Sequence, residues 1–329
     1  MGERMIRHYV LGLCLGLGLA LPAMAADDDK APTPEQQQEM AKLKAIYDSE
    51  TRRTGDIRID KASLTLHLGD RFYFLGPDDA RRVLVEAWGN PPGSAEGVAG
   101  IIFPAGRTFM DSWGAVVTYD LTGYVSDKDA KDADYTKLLN DSRKDEDSVN
   151  EARKKDGFPA SHLVGWAQPP TYDQATHSEI WARDIQFSGQ KLDALNYDMR
   201  LLNRRGVLSL NLVSTMDALP EARTAAVDLS RTAAFDAGSR YEDYKAGDKK
   251  AAYGVAGLVA AGLGVAAAQK FGLLAAGLLL LKKGAVIIAA VAAAIGSRFR
   301  KLFGVKPKIK PPAPAAGPWA GPDGGAGPS

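Results

Sequence analysis

Thiols and imidazoles are scarce in this chain, which has one cysteine and four histidines in 329 residues. The cysteine, Cys14, lies in an N-terminal stretch that reads as a cleaved leader. The mature chain is therefore expected to have no disulfide, thiolate nucleophile or cysteine-ligated metal. The HExxH, G-x-S-x-G and P-loop patterns are missing too, which removes the usual signatures of zincins, α/β-hydrolases and P-loop proteins. A formal charge of +1 leaves no bulk basicity with which to hold nucleic acid. What the chain does have is 45% hydrophobic residues, enough for a full core without metals or bridges.

Its charge is segregated. Residues 26–250 carry 30 Lys+Arg and 38 Asp+Glu, a net of −8, whereas residues 251–329 carry nine Lys/Arg and one Asp, a net of +8. Arg4 and Arg7 precede an apolar run from Val10 to Leu19 and an Ala23-Met24-Ala25 cleavage site. That is the layout of a secretory signal over residues 1–25. An uncleaved anchor helix is its rival, disfavoured by length. From Ala251 to Gly296 the chain is almost wholly Ala, Gly, Val, Leu and Ile, broken at Gln269-Lys270 and Lys282-Lys283. Two membrane helices are expected over 251–303, at about 250–268 and 271–303.

The basic cluster Arg298–Lys310 would remain in the cytoplasm, with the acidic body outside, which requires an odd number of crossings. A two-crossing hairpin would reverse the tail. Ala256, Ala260, Gly264 and Ala268 form a small-residue stripe suited to helix pairing, within the chain or between copies. Residues 304–329, rich in Pro and Gly, are expected to be a disordered cytoplasmic tail.

Between leader and anchor, Thr33-Pro34-Glu35-Gln36 predicts a helix start, and residues 26–54 read as an N-terminal helix and linker. Residues 55–250 read as one exported α+β domain with a mostly antiparallel sheet and flanking helices. Alternation predicts strands at Ile57–Ile59, Leu64–Leu68, Phe72–Leu75, Val98–Phe103, Trp113–Tyr124, Leu163–Gln168, Glu179–Phe187, Asn196–Leu202 and Val207–Ser214. Helices are expected from Pro77, over Tyr135–Lys155 and over Leu219–Ala237. Asn203-Arg204-Arg205-Gly206 reads as a hairpin turn.

The chemistry-bearing candidates are few. Asp173, His177 and Glu179 offer an acid/base set, placed in an extended loop by Pro169-Pro170. Trp166 and Trp181 flank that loop and, with Tyr172 and Arg200, suggest a shallow binding face, unless they are buried aromatics holding the loop to the sheet. Asp127, Asp129, Asp132 and Asp134 resemble a calcium loop but lack its sixth-position glycine and twelfth-position glutamate. No metal and no cofactor is expected.

Several segments together are similar to a known family. They are Phe72–Ala80, Trp88–Pro92, Gly123–Ala130, Asn150–Gly157, Gly165–His177 with Trp181-Ala182, Asn196–Arg200, Arg204–Val213, Tyr241–Tyr244 and Asp248–Gly254. The resemblance is to the bacterial membrane-anchored proteins called domain of unknown function 2167. It implies an exported, membrane-anchored bacterial protein and supplies no reaction, cofactor or catalytic residue. The expected function is a non-catalytic binding, sensing or interaction module at the inner membrane, with its main domain periplasmic. The alternatives are an envelope hydrolase or an oligomeric membrane assembly. Expected partners are the membrane, an envelope protein or polymer and a second copy through the stripe, with no nucleic acid.

Overall fold

The computed structural model describes residues 34–263 apart from Pro91, Asp132 and Asp145. The expected leader, the apolar run beyond Leu263 and the tail lie outside the described residues. The chain opens with helix α1 (Pro34–Ser49), then β1 (Arg52–Arg53), β2 (Asp56–Ile59), β3 (Leu64–His67) and β4 (Phe72–Leu75). Helix α2 (Pro77–Arg81) widens into a π-helical turn over Arg82–Ala87, followed by β5 (Val98–Pro104), β6 (Gly114–Asp120) and β7 (Tyr124–Ser126). Helices α3 (Tyr135–Arg143) and α4 (Glu146–Lys155) precede the long strands β8 (Ser161–Asp173), β9 (Ser178–Phe187), β10 (Ala194–Leu202) and β11 (Val207–Thr215). Helix α5 (Leu219–Ser230), β12 (Ala233–Phe235), β13 (Lys250–Gly254) and α6 (Val255–Leu263) complete the described chain.

An eight-stranded, wholly antiparallel sheet in the order β1-β4-β5-β6-β11-β10-β9-β8 forms the frame. One face is apolar. Ile180, Leu195, Tyr197, Met199, Leu210 and Leu212 pack there against α5 and the small β12-β3-β2 sheet. The opposite face is covered in two blocks. Helices α1 and α2 close over Tyr73, Leu75, Ile101 and Phe103, and α3 and α6 close over β9 and β10. Burial on both faces is why β10 is buried from Ala194 to Met199 without the in-out alternation of a half-exposed strand.

The α+β class and the antiparallel sheet match expectation, and several boundaries move. The single strand expected over Trp113–Tyr124 breaks at Gly123, whose φ of +100° turns the chain out of the sheet. Tyr135–Lys155 is two helices, because Leu138 and Leu139 bury toward α6 while Asn150 and Arg153 turn toward β8 and the loop before it. The last expected helix stops at Ser230, since Ala233–Phe235 pairs with β3. Pro169-Pro170 lies inside β8 rather than in a loop. The two prolines fall in the register break between Gln168 and Thr171 of this outermost strand, so neither ring nitrogen faces a paired residue of β9. Side chains occupy the backbone of that open side. Arg143 donates to the carbonyls of Leu163 and Val164, and Glu146 accepts from the Leu163 N–H. Asn150 bonds both backbone groups of Ser161.

The membrane helix expected from residue 250 begins differently. Lys250–Gly254 is a strand, parallel to β7, and α6 is seated on the body with Val255, Leu258, Val259, Ala260 and Leu263 buried. Among the described residues no helix is long and apolar enough to cross a membrane.

The β10–β11 hairpin closes as expected, through Asn203. Its backbone N–H donates to the Gly206 carbonyl, and its Oδ1 accepts from the N–H groups of Arg205 (2.9 Å) and Gly206 (2.8 Å) and from the Tyr119 hydroxyl (3.1 Å). Asn203→Ala would leave three donors without that acceptor in a buried turn. A loss of about 2–3 kcal/mol is expected in urea unfolding.

Candidate functional site

Alternation along β9 sends Glu179, Trp181 and Arg183 to the same sheet face, opposite Arg200, Asp198 and Asn196 of β10 in register. Asp198, 1% exposed, is the hub. It accepts from Arg183 Nη2 at 3.1 Å, Arg200 Nη2 at 2.8 Å and Asn211 Nδ2 at 2.9 Å. Arg200 also donates to the Ser209 hydroxyl, and its guanidinium stands 5.4 Å over the Trp181 ring. Burial pulls the Arg183 guanidinium below its usual value, and the Asp198 carboxylate opposes that pull.

Over this polar row lies α6, which has no polar side chain and is held through its main chain. Asp129 Oδ1 accepts from the Val255 N–H at 3.0 Å, Arg183 Nη1 donates to the Gly262 carbonyl at 2.7 Å, and Ser142 Oγ donates to the Leu263 carbonyl at 3.3 Å. The Asp129 carboxylate at its N-terminus suits the helix dipole. Gly262 lies directly on Trp181, where an added Cβ would fall 2.8 Å from the ring.

Glu179 is fully buried and accepts from the Tyr135 hydroxyl at 2.7 Å through Oε1. Burial pushes its carboxyl up to about 8, and the nearby Asp129 charge adds to the rise, while the Tyr135 hydrogen bond and Arg200 oppose it. Burial likewise raises the Tyr135 phenol. Among the described residues Glu179 Oε2 has no protein partner, and neither do Trp181 Nε1, Arg183 Nε, Asn196 Oδ1 and Arg200 Nε on the same face.

A second cluster adjoins the first. The Tyr172 hydroxyl donates to Asp127 Oδ2 at 3.1 Å and lies 3.3 Å from His177 Nδ1. The His177 ring stacks on Tyr241 (4.1 Å), Tyr241 on Tyr124 (4.6 Å), and Tyr124 packs against Tyr244 (4.2 Å), with Lys250 over the end of the column. His177 takes a left-handed backbone, φ +47°, to enter it.

Asp173, His177 and Glu179 therefore have separate uses, with no hydrogen bond linking them among the described residues. Asp173 closes the β8–β9 turn, accepting from Ala175 N–H and Thr176 Oγ1, both at 2.8 Å. The expected shallow face around Trp166 and Trp181 does not form. Trp166 is partly buried and donates to the Tyr135 carbonyl, and Trp181 is covered by α6, so the buried-aromatic reading holds for it. Tyr172 and Arg200 are also engaged internally. Of the calcium-like aspartates, Asp127 takes Tyr172, Asp129 caps α6, and Asp134 caps α3 through Lys137 N–H at 2.8 Å, while Asp132 lies outside the described residues. Among the described residues no cluster of three or more His, Cys, Asp or Glu could hold a metal. Sequence reasoning passed over Asp198, Arg183 and Tyr135. The readable signal was the polar series Asn196, Asp198, Arg200 inside a strand whose other alternate residues are apolar.

The family profile described as "Protein of unknown function (DUF2167)" matches residues 51–294. The chain belongs to that family. No curated protein matches it in sequence. Among solved structures it is similar to cyanobacterial PsbP (CyanoP) from Synechocystis sp. PCC 6803. That likeness has 9% identity over 56% of this chain and 92% of that one, at a TM-score of 0.32. In this DUF2167 chain, several of the segments that carried the resemblance converge at the covered face. Gly123–Ala130 brings Asp127 and Asp129, Gly165–His177 brings Tyr172 and His177, and Asn196–Arg200 brings Asp198 and Arg200. Asp248–Gly254 leads into α6.

Because the folded-state value of Glu179 lies above its unfolded value, the native state keeps the proton between about 4.5 and 8. Stability is therefore greatest below about pH 4.5 on this account, falls as pH rises to about 8 and levels off beyond. Glu179→Gln, which never ionises, is expected to remove up to about 4–5 kcal/mol of that pH dependence, measured by urea unfolding at pH 5, 7 and 9.

Proposed function

We propose that this DUF2167 chain is a non-catalytic module of the bacterial envelope. Its α+β domain lies on the periplasmic side of the inner membrane, binds or senses a partner there and is coupled mechanically to its own apolar segment. The observation that carries the reading is α6. The first nine residues of helix in the apolar run are part of the domain, gripped at both ends by Asp129, Arg183 and Ser142. A change in the domain is thereby a change at the start of the anchor.

The docking also bears on topology. With residues up to Leu263 seated on the body, 33 residues of the apolar run, 264–296, are left. Two spans of about 20 residues each would need about 40. One crossing fits, and it leaves the Arg298–Lys310 cluster on the cytoplasmic side in keeping with the positive-inside rule. The partner role of the small-residue stripe is narrower than expected, since Ala260 is buried against its own domain.

Protease added to intact spheroplasts is expected to digest the body while sparing an epitope placed after Lys310. Protection of the body until lysis would overturn the placement. Asp173→Asn and His177→Asn chains are expected to restore a deletion strain as well as the parent does. Failure of both, with folding intact, would return the hydrolase reading.

A further inference from the structure

Glu179, Trp181 and Arg183 form one row on the sheet face, and α6 lies along it, from Asp129 at its start to Arg183 and Trp181 at its end. Every element around Glu179 contributes to its electrostatic setting. From β10 comes Arg200, from β8 its cross-strand neighbour Tyr172, from α3 Tyr135, and from the segment after β7 the Asp129 carboxylate. His177 lies two residues back, in the turn before β9. Helix α6 presents no charge or titratable group, since its nine residues are Val, Ala, Gly and Leu. The one guanidinium near Glu179 is already forked to Asp198 and Ser209. A carboxylate at Glu179 would thus be fully buried, beside the Asp129 charge that caps α6, with no protein partner for Oε2 among the described residues. The direct relief is to admit water by lifting the helix. A released α6 is wholly apolar and continuous with the run 264–296, so a bilayer can receive it.

We propose that the proton on Glu179 latches α6 onto the sheet, and that its loss frees the helix. This names the proton as the signal for the sensing role above, and that physiological sense rests on the envelope reading. The docking equilibrium itself is a property of the isolated protein. Linkage gives the sign: the docked state binds the proton more tightly than the lifted state, so rising pH favours lifting.

Hydrogen exchange of the full chain in detergent micelles, corrected for intrinsic rates, tests this between pH 5 and 9. Protection of residues 255–263 is expected to fall about tenfold per pH unit up to about pH 8 and then level off. Glu179→Gln is expected to give a flat profile. In Asp129→Asn the fall should end at lower pH, because the neighbouring negative charge that favours the proton is gone. This second variant decides the matter if the first does not fold. Constant protection in the parent, the parental slope in Glu179→Gln, or a fall confined to α3 would overturn the latch. So would α6 protection equal to that of β11 at every pH, since the helix would then leave only on global unfolding. None of these readings depends on location or partner, so a failed latch and a failed spheroplast test are told apart.

Discussion

A carboxylate shared by two guanidiniums, Asp198 between Arg183 and Arg200, is the constraint on which the covered side of the sheet depends. Two buried cations without a counter-charge would be severely destabilising, and one aspartate on the middle strand serves both. Register positions it: β10 sets Asp198 opposite Trp181, between Arg200 on its own strand and Asn196, the cross-strand partner of Arg183. With its charge balanced there, Arg183 has a second nitrogen free to hold the Gly262 carbonyl. The seating of α6 therefore draws on this buried ion pair through Arg183, while the helix contributes main-chain acceptors and the buried side chains of Val255, Leu258, Val259 and Leu263.

Much of the frame was legible in the sequence because it rests on local physics. Leu64, Leu66 and Leu68 alternate and are buried, Pro77 opens a helix, and Asn203–Gly206 closes a hairpin as its residues suggest. The misplaced boundaries share one cause, which is tertiary pairing that overrides local preference. Ala233–Phe235 is helical by composition and becomes a strand because β3 offers an edge. Lys250–Gly254 pairs with β7 for the same reason, and α6 then lies on a sheet face rather than continuing as a free apolar rod.

The site was less legible, and the reason is also physical. Sequence distance grouped Asp173, His177 and Glu179, whereas strand geometry separates them by parity and by the turn. The residues that do assemble come from five places far apart in the chain: Asp129, Tyr135, Glu179 to Arg183, Asp198 to Arg200, and Gly262. Asp129, Glu179, Trp181 and Arg200 were each noticed, but in separate roles, and the resemblance that spanned some of these segments carried no chemistry. Their convergence under α6 is what turns a set of motifs into a site.

The edge strand β8 has one further consequence. Arg143, Glu146 and Asn150 already fill hydrogen-bonding positions on its outer side, and Pro169-Pro170 interrupts the donor row beyond them. A neighbouring molecule arriving as an extended strand finds no continuous ladder to join. Along that edge, the domain is thus guarded against extension of its sheet by a second copy.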